Sequence, residues 1–145
     1  MKFIKNEAIK LVADAALLFQ NKVLLVKYKE TNKYDHQKGW FLPDDQLQFN
    51  EHPDDGIQRI IGEQIGVDIP GLKLDHIESF TGNDGSWHLI FHYSAVLESL
   101  PEIKTDSNLS SYTWFELGNL PEDKEIAHHG WAGYTIKTIL SNLKN

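Results

Sequence analysis

Cysteine is absent from the 145 residues. Its absence excludes disulfides, a thiol nucleophile and thiolate metal sites, and it fits a reducing, cytoplasmic setting. Basic residues are in deficit. Lys and Arg number 14 against 21 Asp and Glu, for a net charge of −7. Charge-driven binding to a nucleic-acid polymer needs the opposite balance, so no such partner is expected. A single nucleotide is not excluded, because a few local cations or a metal can hold it. Long apolar runs are missing too. The longest are about half of a bilayer span, so no membrane segment is expected. The opening Met1-Lys2-Phe3-Ile4-Lys5-Asn6-Glu7 is too polar for a secretory leader. Repeats, low-complexity tracts and linkers are lacking, and the length suits one domain over residues 1–145.

What is present is ordinary for a globular protein, with 41% hydrophobic and 24% charged residues. Leu11 to Phe19 and Val23 to Tyr28 read as buried strands joined by a tight turn at Gln20-Asn21-Lys22. The polar stretch Glu30 to Lys38 reads as an exposed loop. Gly39-Trp40-Phe41-Leu42-Pro43 is a short apolar segment, and Gln46-Leu47-Gln48-Phe49 alternates as a short strand does. The acidic residues of Asn50 to Asp55 suit the positive end of a helix dipole. Ile57, Ile60, Ile61 and Ile65 form one helical stripe, and Gly66 ends it. Leu74 to Phe80 and Trp87 to Leu97 read as strands around the turn Gly82-Asn83-Asp84-Gly85. Leu100 to Ser110 reads as loop, Tyr112 to Phe115 as a last strand, and about Gly130 to Leu143 as a closing helix. This order predicts an α/β fold with a mixed β-sheet between helices.

Glu51 is followed after seven residues by Arg59, and Gly66-Val67 closes the segment. Trp40-Phe41-Leu42-Pro43 leads into it. Tyr112-Thr113-Trp114-Phe115-Glu116-Leu117 and Leu120-Pro121-Glu122 follow later. On these residues the chain resembles the Nudix (MutT-like) hydrolase family over nearly its whole length. The resemblance implies a Nudix α/β/α sandwich. It also implies hydrolysis of a nucleoside diphosphate linked to another group, with Mg²⁺ or Mn²⁺ as cofactor. The expected partner is a nucleotide or nucleotide-sugar, and a homodimer is expected because many relatives form one.

The family's box is a glycine, five residues, a glutamate, seven residues, then Arg-Glu-apolar-x-Glu-Glu-x-Gly-apolar. Here the box is degenerate. Asp44-Asp45 replaces the glycine pair, Ile60 and Gln64 replace two glutamates, and Glu63 is kept. Positions 60, 63 and 64 share one helix face. Three carboxylates there would hold Mg²⁺, bridge a diphosphate and acidify a water. This chain keeps one. The resemblance therefore makes Glu63 a catalytic and metal residue and Gln64 a weak neutral ligand. Arg59 joins the catalytic set, as a brace paired with Glu51, Asp54, Asp55 or Glu63 or as a phosphate contact, and Glu51 is a catalytic residue or a loop anchor. Asp44 and Asp45 have two readings: with Glu63 they rebuild a single divalent site, or they form a polar turn after Pro43. The family's further acid, before the last strand, falls near Asn108; Asp106 and Glu102 are the acids around it.

Other residues keep two readings each. Trp87, Phe91 and Tyr93 share a strand face that can stack a nucleobase or join the core. Trp40 and Trp131 are similarly open. Trp87, Trp40 and Phe91 are the candidate substrate-binding residues. His88 and His92 share a face with Ile90, as proton-transfer groups or half-exposed strand residues. His52 is expected at the surface, and His128-His129 as loop or cap residues. Gly56 and Gly62 disfavour helix unless close packing requires them. Two functions stand beside each other: a hydrolase with an altered metal site, and a module that binds a nucleotide or sugar-nucleotide without cleaving it. A third is other chemistry in the same cleft.

Overall fold

A computed structural model of the chain describes residues 8–34, 36–82, 84–105 and 108–144. Strands β1 (Ile9–Phe19) and β2 (Lys22–Tyr28) form the first hairpin. A three-residue strand, β3 (Asp44–Gln46), precedes helix α1 (Pro53–Ile65). Strands β4 (Lys73–Thr81), β5 (Trp87–Leu97) and β6 (Leu109–Glu116) follow, and α2 (Ala127–Leu143) closes the fold. The sheet is mixed, in the order β4-β5-β1-β2-β6, with β3 on β1. β1 and β5 are parallel and in register from Ile9↔Trp87 to Phe19↔Leu97.

Side chains alternate across each strand, so parity assigns them to the two helices. Ala13, Ala15, Leu17, Leu24, Val26 and Tyr93 pack with Ile57, Ile60, Ile61 and Ile65 of α1. Ala16, Leu18, Val23 and Leu25 pack with Ala132, Ile136 and Ile139 of α2. Each fully buried isoleucine or leucine contributes about 2 kcal/mol relative to exposure. The sheet is thus sandwiched between helices, as the sequence predicted.

β1 and β2 pair only at their turn, at Leu18↔Val23 and Phe19↔Lys22, and then diverge. The segment after Gly39 fills the gap. Phe41 bridges Val26, the Pro43 carbonyl accepts from Ala15, and Asp44–Gln46 pairs with Val12–Asp14. This splay brings Asp44 and Asp45 to the middle of the fold.

Several expectations shift. The short strand lies at Asp44–Gln46, not Gln46 to Phe49. Phe49 is 94% exposed, because the chain turns sharply at Asn50 (φ 64°) to start α1. The loop around Lys38 is not wholly exposed: Tyr34 is buried and its ring stacks on Tyr28 at 4.0 Å. β6 begins at Leu109 because β2 is long enough to pair with it there. One boundary holds: His128, His129 and Gly130 all have positive φ, so regular helix begins after them, near the expected Gly130, with the two histidines in the lead-in. His88 and His92 are buried rather than half-exposed: Phe80 and Ser86 cover His88, and Asp14 and the Trp131 ring of α2 cover His92. Asp106 and Asn83 lie outside the described residues. Among the described residues, no helix is long and apolar enough to cross a membrane.

Candidate functional site

The chain leading into α1 is held by one guanidinium. His52 caps the helix, its Nδ1 accepting from Asp54 N at 3.0 Å, and Pro53 occupies the first turn. Arg59 Nε donates to Glu51 Oε2 at 2.7 Å, and Nη2 donates to Glu51 Oε1 and the Gln46 carbonyl, each at 3.0 Å. Its Nη1 donates to Glu63 Oε1 at 2.6 Å. A planar fork with five donors suits this bridging. Glu51 also accepts from Gln48 N at 2.9 Å. The Arg59 hydrogen bond holds the Glu51 carboxyl below its usual range, and Glu51 raises the guanidinium in return.

Gln64 is buried and bonded at both ends of its amide. Its Nε2 donates to the Asp44 carbonyl at 2.7 Å, and its Oε1 accepts from the Tyr28 hydroxyl at 2.8 Å. Asp44 N donates to the Tyr28 oxygen at 3.0 Å. Burial, and then the Asp44 charge, push the Tyr28 phenol up, so it stays a donor.

These bonds test the box helix as a metal site. Ile60 is in the core. The Glu63 carboxylate is tied to Arg59 and 58% exposed. Gln64 turns an N–H, not a lone pair, toward the Asp44 carbonyl. Among the described residues, the one group of three His, Asp or Glu ligands able to share an ion includes none of Asp44, Asp45, Glu51 or Glu63. The side chains of this helix do not fit a resident dication.

On the opposite face of the sheet lies a cavity of about 690 Å³, within the usual range for small-molecule sites. Lys10 and Val12 of β1 and His88 and Ile90 of β5 contribute to it. Phe80, Asp44, Asp45, Tyr34, Phe41, His128 and Trp131 also line it. Phe80 stacks on His88 at 4.7 Å and meets Trp131 edge-on at 5.5 Å. His88 Nε2 lies 2.9 Å from Ser86 Oγ, which donates to Asp84 at 2.5 Å. Hydrogen bonds from the Ser86 hydroxyl and N–H hold the Asp84 carboxyl at about 2. Lys10 Nζ pairs with Asp84 at 3.5 Å. His128, which lines the cavity, and its neighbour His129 have φ of 55° and 57°, a strained conformation outside glycine.

The structure separates the residues singled out in the sequence. Asp44 and Asp45 line the cavity, whereas Glu51, Arg59, Glu63 and Gln64 do not. Trp87 is 45% exposed on the α1 side of the sheet, its indole N–H on Ser79 Oγ at 2.7 Å. Phe91 packs against the α1 core. Trp40 meets Phe115 edge-on at 4.9 Å and lies under Lys27 Nζ, lining only a small crevice beside the cavity. The aromatic groups of the cavity are Phe80, Trp131, Tyr34 and Phe41. Parity was the missed signal. Phe80 is paired with His88, on the face opposite Trp87 and Phe91.

The sequence profile of the NUDIX domain matches residues 10–134. No curated protein matches the chain. Solved structures of similar shape include a MutT NUDIX hydrolase from Burkholderia pseudomallei, at 20% identity and TM-score 0.74, covering 92% of this chain and 98% of that one. A C. elegans Ap4A hydrolase aligns at 13% identity and TM-score 0.71, covering 93% and 98%. A UDP-X diphosphatase aligns at 15% and 0.68, covering 94% of this chain and 64% of that one. At such identities the likeness concerns the fold.

Proposed function

The chain belongs to the NUDIX domain family, and from that premise we propose that it acts on small nucleoside-diphosphate-linked molecules, nucleotides or nucleotide-sugars, as a hydrolase with an altered metal site. The observation that carries the altered site is the bond from Gln64 Nε2 to the Asp44 carbonyl at 2.7 Å. The substrate class is supported by a cavity of suitable size with aromatic walls, and by neighbours named for Ap4A and UDP-X.

Family members generally use divalent metal ions. Mg²⁺ is often held by one or two carboxylates plus the phosphates of its substrate, not by an all-protein cage. Asp44 and Asp45 would hold a Mg²⁺ or Mn²⁺ that arrives with the substrate, and such an ion would neutralise charge at the diphosphate. Phe80 and Trp131 offer faces for a base, and Lys10 offers a cation for a phosphate. Arg59, Glu51 and Glu63 position the loop that carries Asp45. A cytoplasmic location and a homodimer complete the proposal; the cysteine-free composition supports the first and an exposed apolar strip on β1, β4 and β5 the second.

A second reading, binding without cleavage, is favoured by Ile60 in the core and by the engaged Gln64 amide. Calorimetry and product release with a panel of nucleoside-diphosphate-linked compounds, with and without Mn²⁺, separate the two. The hydrolase reading expects Mn²⁺-dependent turnover that falls about tenfold or more in Asp45→Asn. Binding without turnover selects the second reading. Neither binding nor turnover with any compound rejects both.

A further inference from the structure

Among the described residues, one cluster of ligand-bearing side chains lies outside both the box and the cavity. His76 and Glu78 on β4 and His92 on β5 each bring a ligand atom to within 4.8 Å of the others. Pairing places them on the α2 face: His76 opposes His92, Glu78 opposes Ile90, and the two imidazoles lie 4.6 Å apart. His92 is fully buried, while the His76 and Glu78 side chains are 22% and 37% exposed.

The surroundings order this cluster. His92 Nδ1 lies 2.6 Å from Asp14 Oδ1 on β1, and His76 Nδ1 lies 2.6 Å from Asp75 Oδ2. A carboxylate at Nδ1 accepts a hydrogen bond from Nδ1–H, fixes the tautomer and leaves Nε2 as the basic nitrogen. Proteins orient metal-binding histidines in this way. Asp75 is itself held by Asn142 Nδ2 at 2.7 Å, and Trp131 Nε1 donates to Glu78 Oε1 at 3.3 Å, both from α2. Two carboxylate-oriented imidazoles beside a third carboxylate exceed what packing of this face requires.

We propose that His76, Glu78 and His92 form a binding site for a divalent transition-metal ion of the Zn²⁺ class, separate from the box. Two imidazoles and a carboxylate suit Zn²⁺ or Co²⁺, whereas Mg²⁺ prefers oxygen donors throughout. With metal–ligand bonds of about 2.0–2.2 Å, tetrahedral donors stand about 3.4 Å apart. His92 Nε2 and Glu78 Oε1 lie 2.5 Å apart and share a proton when no ion is bound. Making room requires the carboxylate to withdraw by about 0.9 Å. Glu78 can do so, because it is partly exposed on the edge strand. The same exposure gives the ion a way in and a water a place as fourth donor. Asp14 and Asp75 add negative charge that favours the cation. The bound ion ties the edge strand β4 to β5.

The test uses the untagged full chain after treatment with a chelator, titrated with Co²⁺ and then Zn²⁺. The expected result is one equivalent of Co²⁺, with the visible absorption of a four- or five-coordinate ion, displaced by Zn²⁺ and accompanied by a rise in Tm. His76→Ala and Glu78→Gln should each weaken binding by about tenfold or more while keeping the circular dichroism of the parent. Glu63→Gln, in the box, should bind as the parent does. Failure of the folded parent to bind one equivalent of either ion overturns the proposal, and so does binding that both His76→Ala and Glu78→Gln leave intact. The readout needs no substrate, so its failure leaves the hydrolase reading standing.

Discussion

At position 64 an amide nitrogen stands where a carboxylate oxygen would face another oxygen. Gln64→Glu keeps the Tyr28 hydrogen bond but sets a negative charge against the Asp44 carbonyl in a buried place. A loss of about 2–3 kcal/mol is expected in urea unfolding. Mn²⁺ should restore part of it, because a cation between the two oxygens removes the repulsion. Parent-like stability, or no gain with Mn²⁺, would refute this account of the amide. Ile60→Glu is a poorer probe, since Ile60 is 1% exposed and a carboxylate there has no partner. Arg59 was readable as a brace, with Glu63 one helix turn on among its possible partners, but its choice of Glu51 depends on how the lead-in folds back onto the helix. The Gln64 bond was not readable, since its acceptor is a backbone carbonyl delivered by the splay of β1 and β2. Trp87 and Phe91 were assigned to the ligand for their chemistry, but strand parity sends both to the α1 side.

Within α1 the two glycines look alike in sequence and differ in what surrounds them. A Cβ on Gly56 would run into the Leu47 side chain and lie 3.0 Å from Glu51 Oε1, where the clamp cannot give way. A Cβ on Gly62 meets nothing within 4 Å, on an exposed turn. Gly62→Ala is therefore expected to stabilise by about 1 kcal/mol through helix propensity. Gly56→Ala should destabilise by about 1–3 kcal/mol through overpacking. Equal effects of the two in urea unfolding would contradict the packing argument. The isoleucine stripe made α1 readable, and continuous apolar runs did the same for β1, β2 and β5. β3 was not readable at its true place. Three residues carry little pattern, and the partner that selects them, Val12–Asp14 on β1, is distant in sequence. His88 and His92 were read on the correct shared face, but their burial depended on the Phe80 ring of β4 for the first and on Asp14 of β1 and Trp131 of α2 for the second, contacts that no local pattern reveals.

Over the whole molecule, α1 covers only part of its face of the sheet. Ile9 and Ile77 are 59% and 50% exposed, and Trp87, paired with Ile9, is 45% exposed. Leu11, at 39%, shares their parity and continues the strip on β1. Burying such a strip against a second copy is favourable, at roughly 25 cal/mol per Å² of apolar surface, whereas a charge of −7 on each copy opposes association. Salt screens the repulsion over about 8 Å at about 0.15 M and leaves the apolar term nearly untouched. Light scattering should therefore show a dimer at that ionic strength and progressive dissociation as salt is removed. Ile77→Lys, which puts a charge in the strip without disturbing the core beneath, should give a monomer with parental circular dichroism. A chain that is monomeric at every salt concentration contradicts the pairing, and a dimer that tightens at low salt contradicts the charge balance from which the salt dependence follows.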